Sequence, residues 1–369
     1  MDQLLIGIMG LTWKHLIMIV IGLILIYLAI AKKYEPLLLL PIGFGALLCN
    51  IPFSSAIGAD GPLTLLFNAG IATELFPCLI FIAIGAMCDF TPMLRNPVVM
   101  VFGAAAQLGI FVTIVIAALA GFDIKEAAAI GIIGAADGPT TIYVAAKIAP
   151  QLLAPLSVAA YSYMALVPLI QPPVIRALTT KEERSIIMPK KADIPVSKMV
   201  KIAFPIVVTL IAGIIAPISV AMIGFLMFGN LIKECGVVDS LSKAAQNELS
   251  NLVTLLLGIT IGSTMVAADF LNVQTMMIMG LGIVAFIFDT AGGVLFAKGI
   301  NLFLKEKINP MIGACGISAF PMSARVVAKM AFEENKKNYL IMHAVGTNVA
   351  GQIGSVVAGG IILALVLGM

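Results

Sequence analysis

The stretch "GAADGPTTIY", Gly134–Tyr143, sets a carboxylate beside a Gly-Pro pair in otherwise apolar sequence. An ionisable side chain at membrane depth is costly unless paired, and it marks an ion or proton site by default. Irregular backbone at that depth survives only inside protein or along a wet cavity, where its freed carbonyls can meet a cation. Asp137 satisfies both conditions, and a carboxylate among backbone oxygens suits Na+ or H+. The bland alternative is a turn aspartate at the tip of a hairpin. A second "ADGP", Ala59–Pro62, lies near Ser54, Ser55 and Asn68 and reads as an ordinary loop turn.

A second break, "GACGISAFPMSAR", lies within 309–330 and offers Asn309, Gly313, Gly316, Ser318, Ser323 and Arg325. Serine and asparagine oxygens are neutral cation ligands or proton-relay members, and glycine permits close backbone approach. Arg325 reads either as a loop-edge anchor or as the partner of an anionic substrate. Tyr161 and Tyr163 follow Asp137 in the next apolar segment. A buried tyrosine hydroxyl needs a partner, whereas a packing aromatic does not. Asp289 and Asn348 are further polar groups inside apolar segments, open to ion ligation or to a plain interhelical hydrogen bond.

The elements that must carry these residues are membrane helices. The chain has 369 residues, 61% of them hydrophobic and 11% charged. Soluble domains carry roughly 25% charged residues, and a span needs about 20 apolar ones. The reading is an all-α polytopic membrane protein, with spans near 14–31, 35–52, 71–90, 98–121, 151–175, 201–218, 219–233, 249–268, 274–297 and 339–368. No ten-residue alternation suggests a barrel. The start lacks a basic region and a small-residue cleavage site, so the first apolar segment reads as a retained helix. The five cysteines are scattered, without metal or redox spacing.

Lys and Arg favour cytoplasmic loops. The richest loop holds seven of them between Arg176 and Lys201. If the other basic loops share its side, parity forces 126–149 and 309–330 each to enter and return on one face. The halves then carry the same order of elements in opposite orientation. The expectation is two inverted-topology repeats, about ten transmembrane helices plus two broken re-entrant hairpins. Residues 1–178 form the first repeat with hairpin 126–149, 179–200 a cytoplasmic basic loop, and 201–369 the second repeat with hairpin 309–330. Placing Pro139 on Pro321 aligns the two breaks, and Asn348 then falls near the counterpart of Tyr163. Such repeats are common in transporters, with the site between them. The weak link is 201–233, read as two short spans split at Pro217.

No phosphate-binding loop, zinc motif, nucleophile elbow or basic-aromatic nucleic-acid patch is present. No biotin attachment sequence of the Met-Lys-Met kind occurs either. Composition and symmetry by themselves favour a self-standing secondary transporter, either a Na+/H+ antiporter or a Na+-coupled organic-anion carrier. A membrane scaffold without transport fits the broken hairpins poorly.

"GIIGAADGPTTIYVAAKIAPQLLAPLSVAAYSYMALVPLIQPPVIRALT" and "NPMIGACGISAFPMSARVVAK" resemble the membrane β subunits of the sodium-pumping, biotin-dependent decarboxylases. That group includes the oxaloacetate, methylmalonyl-CoA, glutaconyl-CoA and malonate decarboxylases. The likeness runs from "YEPLLLLPIGFGALLCNIP" to "HAVGTNVAGQIGS". It implies a bacterial cytoplasmic-membrane subunit that decarboxylates carboxybiotin, consumes a proton and exports Na+. Biotin would sit on a partner carrier subunit. Further partners would be a carboxyltransferase α subunit, a small membrane-anchor subunit and other copies of this chain. The resemblance implies Asp137 as principal Na+ ligand, with Ser318 and Tyr163 in ion binding and the proton path. It implies that Asn309 and Gly313 shape the second hairpin and that Arg325 lies near carboxybiotin. With Asn309 and Asn348 as further oxygen ligands, that completes the expected site. The short N-terminal region resembles the acyl-CoA members more than the oxaloacetate ones.

Overall fold

The structure is a computed structural model that describes residues 7–188 and 195–368. Part of the expected basic loop, 189–194, lies outside the described residues. The described residues are helical, without strands. Among the described residues seven helices, or eight with one bent pair counted as a single span, are long and apolar enough to cross a membrane. The protein is a polytopic helical membrane protein. The expected spans correspond to helices, several shorter or more broken than the apolar runs alone suggest.

The first half opens with α1 (Trp13–Ala31) and α2 (Pro36–Cys49). Next come α3 (Pro62–Leu66), a π-type turn (Phe67–Ile71) and α4 (Leu75–Met87), which bend by 63° about Glu74. Helicity before residue 71 was not foreseen, because the Gly and Pro near Asp60 read as a loop. The short α5 (Thr91–Arg95) leads to α6 (Val99–Ala105) and α7 (Leu108–Leu119), one span interrupted at Gln107. After them α8 (Ile124–Gly131), a 3-10 turn (Ile132–Ala135) and α9 (Gly138–Ile148) form the first broken element. The half closes with α10 (Leu153–Leu178).

The second half repeats this order. Beyond the short α11 (Lys181–Arg184), α12 (Lys198–Ile215) and α13 (Val220–Cys235) are separate helices divided at Pro217. α14 (Asp239–Ala244), a π-type turn (Ala245–Leu249) and α15 (Ser250–Ser263) mirror the bent pair. Then come the short α16 (Ala267–Phe270), α17 (Val273–Asn301), a 3-10 turn (Pro310–Gly316), α18 (Met322–Glu334) and α19 (Ile341–Leu367). The peptide Phe320–Pro321 is cis.

Packing repeats as well. α2 crosses α15, and α13 crosses α4. Both crossings are backbone-close: a Cβ on Gly45 would stand 2.3 Å from Ile259 O, and one on Gly229 would stand 2.0 Å from Ile82 O. Without a hydrophobic drive between helices in lipid, such small-residue contacts supply the packing. α12 packs on α13 and, among its described residues, only Pro205 is fully buried, so it stands at the edge of the bundle. By contrast, every residue from 127 to 145 and from 309 to 319 is buried. The most irregular backbone lies where protein, not lipid, surrounds it, as its unsatisfied carbonyls require.

Candidate functional site

The local sequence builds the first break. Pro139 has no amide hydrogen and suits the first turn of α9, where none is needed. Asp137 caps that turn by accepting from Thr140 N at 3.2 Å. Ala136 before it is left-handed (φ 52°), a conformation that costs a residue with a side chain about 1 kcal/mol. The chain therefore reverses sharply and turns the Asp137 carboxylate inward, where it is 2% exposed.

Four side chains converge on a single oxygen, Asp137 Oδ2. The hydroxyls of Thr140 and Ser355 donate at 2.7 Å each, Ser318 Oγ at 3.1 Å and Gln352 Nε2 at 3.2 Å. The Ser318 and Ser355 hydroxyls also bond to each other. Ser318 N donates to Ala135 O at 2.8 Å, which fixes the second break against the first. A carboxylate has about four acceptor positions over both oxygens, so four donors on one oxygen crowd it. Hydroxyls can rotate their hydrogens away and present lone pairs instead. The cluster can thus wrap a small cation with one charged and several neutral oxygens.

Among the described residues no ion pair reaches Asp137. None of them forms a group of three or more His, Cys, Asp or Glu suited to a metal. One carboxylate with hydroxyls is a weak, monovalent-type site, unlike the multi-carboxylate sets that hold divalent ions. An unpaired buried carboxylate costs several kcal/mol, and a bound cation would offset that cost.

Of the expected site residues, the structure brings Asp137 and Ser318 together. Tyr163 does not reach them: its hydroxyl donates to Met279 O. The tyrosine beside the break is Tyr161, whose ring lies 2.5 Å from where a Cβ on Gly138 would stand. The Tyr161 hydroxyl is buried without a partner among the described residues. Asn309 is committed elsewhere. Its Nδ2 donates to Arg184 O (2.8 Å) and Ile186 O (3.0 Å), and its Oδ1 accepts from Met311 N (3.1 Å). Asn348 donates to Cys315 O and Ile317 O, and its Oδ1 has no partner among the described residues. Gly313 packs backbone to backbone on Gly293, with 2.0 Å between its would-be Cβ and Gly293 O. Arg325 is exposed on the first turn of α18, with Glu35 in electrostatic reach. Burial lifts the Glu35 carboxyl above its usual range, and the Arg325 charge opposes that rise.

Thr140, Gln352 and Ser355 were missed. A signal existed for the last two: Asn348, Gln352 and Ser355 recur at i, i+4 and i+7 on one face of α19. A second buried carboxylate, Asp289, accepts from Ile110 N at 3.2 Å, and its Oδ2 has no partner among the described residues.

A helical membrane protein with two buried breaks meeting at a carboxylate and three hydroxyls belongs to the class that moves small cations. Comparison with known proteins gives the family. Residues 14–366 match the Na+-transporting oxaloacetate decarboxylase beta subunit, and the chain belongs to that family. It is 50% identical to the methylmalonyl-CoA decarboxylase subunit beta of Veillonella parvula, covering 97% of this chain and 95% of that one. It is 50% identical to the glutaconyl-CoA decarboxylase subunit beta of Acidaminococcus fermentans, covering 98% and 96%. The probable oxaloacetate decarboxylase beta chain of Vibrio cholerae is 45% identical, covering 98% of each. The chain is therefore the membrane subunit of a Na+-transporting decarboxylase, one component of a multisubunit enzyme.

Proposed function

We propose that this chain couples loss of CO2 from carboxybiotin, presented by a partner carrier subunit, to export of Na+ across a bacterial cytoplasmic membrane. One observation carries the ion site: hydroxyls from both halves converge on Asp137 Oδ2. Asp137, Thr140, Ser318, Ser355 and Gln352 hold the ion. Ser318 and Ser355 come from the second half, so a shift of either half opens or completes the shell.

Carboxybiotin supplies a carboxylate whose departure as CO2 consumes one proton. Arg325, exposed and cationic, suits that carboxylate by charge-assisted hydrogen bonding. Ser318 serves the proton path, and Asn309 and Gly313 shape the second break. Moving one charge outward costs about 2.3 kcal/mol per 100 mV, which the decarboxylation must exceed.

The repeated element order and the paired crossings support two inverted-topology repeats, 1–178 and 201–369, joined by a cytoplasmic loop. In this reading 126–149 and 309–330 are re-entrant hairpins dipping from opposite sides. Partners are a carboxyltransferase α subunit, a biotin carrier, a small membrane-anchor subunit and further copies of this chain. The 50% identity to acyl-CoA enzymes, against 45% to an oxaloacetate one, favours an acyl-CoA substrate for the complex.

The test is purification with partners retained, probing for a biotinylated subunit, followed by reconstitution in vesicles. The expected result is CO2 release that requires Na+, and Na+ uptake only while the carboxylated substrate is consumed. Na+ flux without carboxybiotin would make the chain a self-standing carrier and overturn the reading.

A further inference from the structure

The backbone that delivers Ser318 to Asp137 leaves the end of a 3-10 turn, and side chains from elsewhere in the chain hold it there. Four consecutive carbonyls, Ala314 to Ile317, each accept from a carboxamide on a long segment elsewhere in the chain. Gln171 Nε2, on α10, donates to Ala314 O at 2.7 Å, and Ser323 Oγ shares that oxygen at 3.1 Å. Asn348 Nδ2, on α19, donates to Cys315 O at 3.2 Å and to Ile317 O at 2.7 Å. Gln107 Nε2, between α6 and α7, donates to Gly316 O at 3.2 Å. All three carboxamides are buried, at 0% exposure for Gln171 and Asn348 and 3% for Gln107. The next residue along the strip is Ser318.

The end of a helical turn in a buried interior must find partners for its last carbonyls, and a buried carbonyl left unmade costs about 1–3 kcal/mol. A regular helix would supply those partners from its own backbone and leave the strip indifferent to its neighbours. Here three separate segments supply them, so the position of the strip is set by α6–α7, α10 and α19 together. Two of the donors stand at helix defects. Gln107 occupies the interruption between α6 and α7, and Gln171 lies between Pro168 and Pro172. Asn348 takes the carbonyls of 315 and 317 and Gln107 takes that of 316, just before the chain enters the ion site.

We propose that Gln107 and Gln171 are positioning residues of the cation site. By holding the carbonyls of Gly316 and Ala314 they fix Ser318 against Asp137, and they set the affinity for Na+ without touching the ion. The assignment rests on the reading that Asp137 and Ser318 bind Na+.

The test uses the intact multisubunit complex and compares Gln107→Met and Gln171→Met, near-isosteric changes that remove the donor. Na+-stimulated decarboxylation is measured across Na+ concentrations, beside the thermal midpoint of the complex. A Thr113→Val variant controls for loss of a buried polar atom away from the strip; its hydroxyl is buried and has no partner among the described residues. The expected result is about a tenfold rise in half-saturating Na+ for each glutamine variant, with turnover at saturating Na+ retained. The control keeps the wild-type half-saturation. If Gln107→Met does not assemble, Gln107→Asn carries the same test, since it keeps the carboxamide and shortens its reach. Variants that lose thermal stability yet keep the wild-type Na+ half-saturation would reduce both glutamines to scaffold and overturn the assignment alone. A wild-type complex whose turnover ignores Na+ would overturn the proposed function and this assignment with it.

Discussion

Ser318 Oγ donates to Asp137 Oδ2 at 3.1 Å although 181 positions separate the two residues in the chain. Each sits at a break in its own half, and the adjoining backbones are tied by Ser318 N to Ala135 O at 2.8 Å. The contact makes the site a joint between halves and not a property of one helix. Asp137→Asn keeps the shape and the cap on α9 but removes the charge that pairs with a cation. Na+-stimulated decarboxylation collapses while membrane insertion and yield stay at wild-type levels. Retained Na+-dependent turnover in this variant would remove Asp137 from the site. Ser318→Ala removes one neutral oxygen from the ion's shell, and half-saturating Na+ rises by about tenfold.

Ser355 is the closer of the two α19 donors, at 2.7 Å against 3.2 Å for Gln352. Ser355→Ala therefore weakens Na+ binding more than Gln352→Leu does. Because the Ser318 and Ser355 hydroxyls bond to each other, their losses should not add. Residues sharing one network show coupling of about 0.5–3 kcal/mol. Na+ titrations of the two single variants and the double measure that coupling, and strict additivity would mean that the serines act separately.

Much of this was legible in the sequence. Runs of apolar residues located the helices, and Gly138–Pro139 and the Pro310–Pro321 stretch located both breaks, because these residues disturb a helix wherever they occur. Asp137 stood out because a carboxylate is rare in such surroundings. What the sequence concealed was convergence. Gln352 and Ser355 look like ordinary polar residues of a glycine-rich helix until the fold brings them to Asp137. Tyr161 and Tyr163 lie two residues apart on one helix, and only packing shows that Tyr161 faces Gly138 while Tyr163 turns to Met279. Asn309 has the chemistry of a ligand, but its Oδ1 accepts from Met311 N and its amide is engaged by backbone carbonyls, whereas Asn348 commits its amide nitrogen to two carbonyls and keeps its Oδ1 unpartnered among the described residues.

The partners of Asn309 give it a distinct phenotype. Its carboxamide binds the carbonyls of Arg184 and Ile186, and Asn338 Nδ2 binds the same two at 3.3 and 3.0 Å. Arg184 is also paired with Glu334 at 2.7 Å. Asn309→Ala leaves those two carbonyls to Asn338 alone and uncaps the turn that starts at Pro310, a loss of about 1–3 kcal/mol. The expected outcome is faster proteolytic cutting near residues 184–188 and a lower thermal midpoint, with half-saturating Na+ moved less than by Ser318→Ala. A Na+ shift as large as that of Ser318→Ala would place Asn309 in the ion shell.

Gly313 and Gly293 bring the second break and α17 into backbone contact. A Cβ on Gly313 would lie 2.0 Å from Gly293 O, and neither backbone can yield as a flexible side chain would. Gly313→Ala must push the strip off α17, at an overpacking cost of about 1–3 kcal/mol. The strip leads to Ser318, so both the thermal midpoint and the Na+ affinity should fall. Gly280→Ala, on the same helix with nothing among the described residues within 4 Å of its would-be Cβ, should change neither. Wild-type Na+ affinity in Gly313→Ala would show that the contact does not govern the ion site.

Asp89 lies in the turn between α4 and α5, outside the spans. Its Oδ1 accepts from Thr91 N at 2.9 Å. Burial opposes its charge, but the bond from the Thr91 amide, with Lys233 and Lys201 nearby, outweighs that and holds the carboxyl below its usual range. For an acid depressed in the folded state, the stabilisation is present above the unfolded value, about 3.9. It is lost as pH falls through the lower folded value. Asp89→Asn keeps an acceptor for Thr91 and loses the charge. The gap in thermal midpoint between wild type and Asp89→Asn should hold steady from neutral pH down to about pH 5 and close as the solution is acidified further. A gap that widened on acidification would mean that Asp89 is not held ionised by these neighbours.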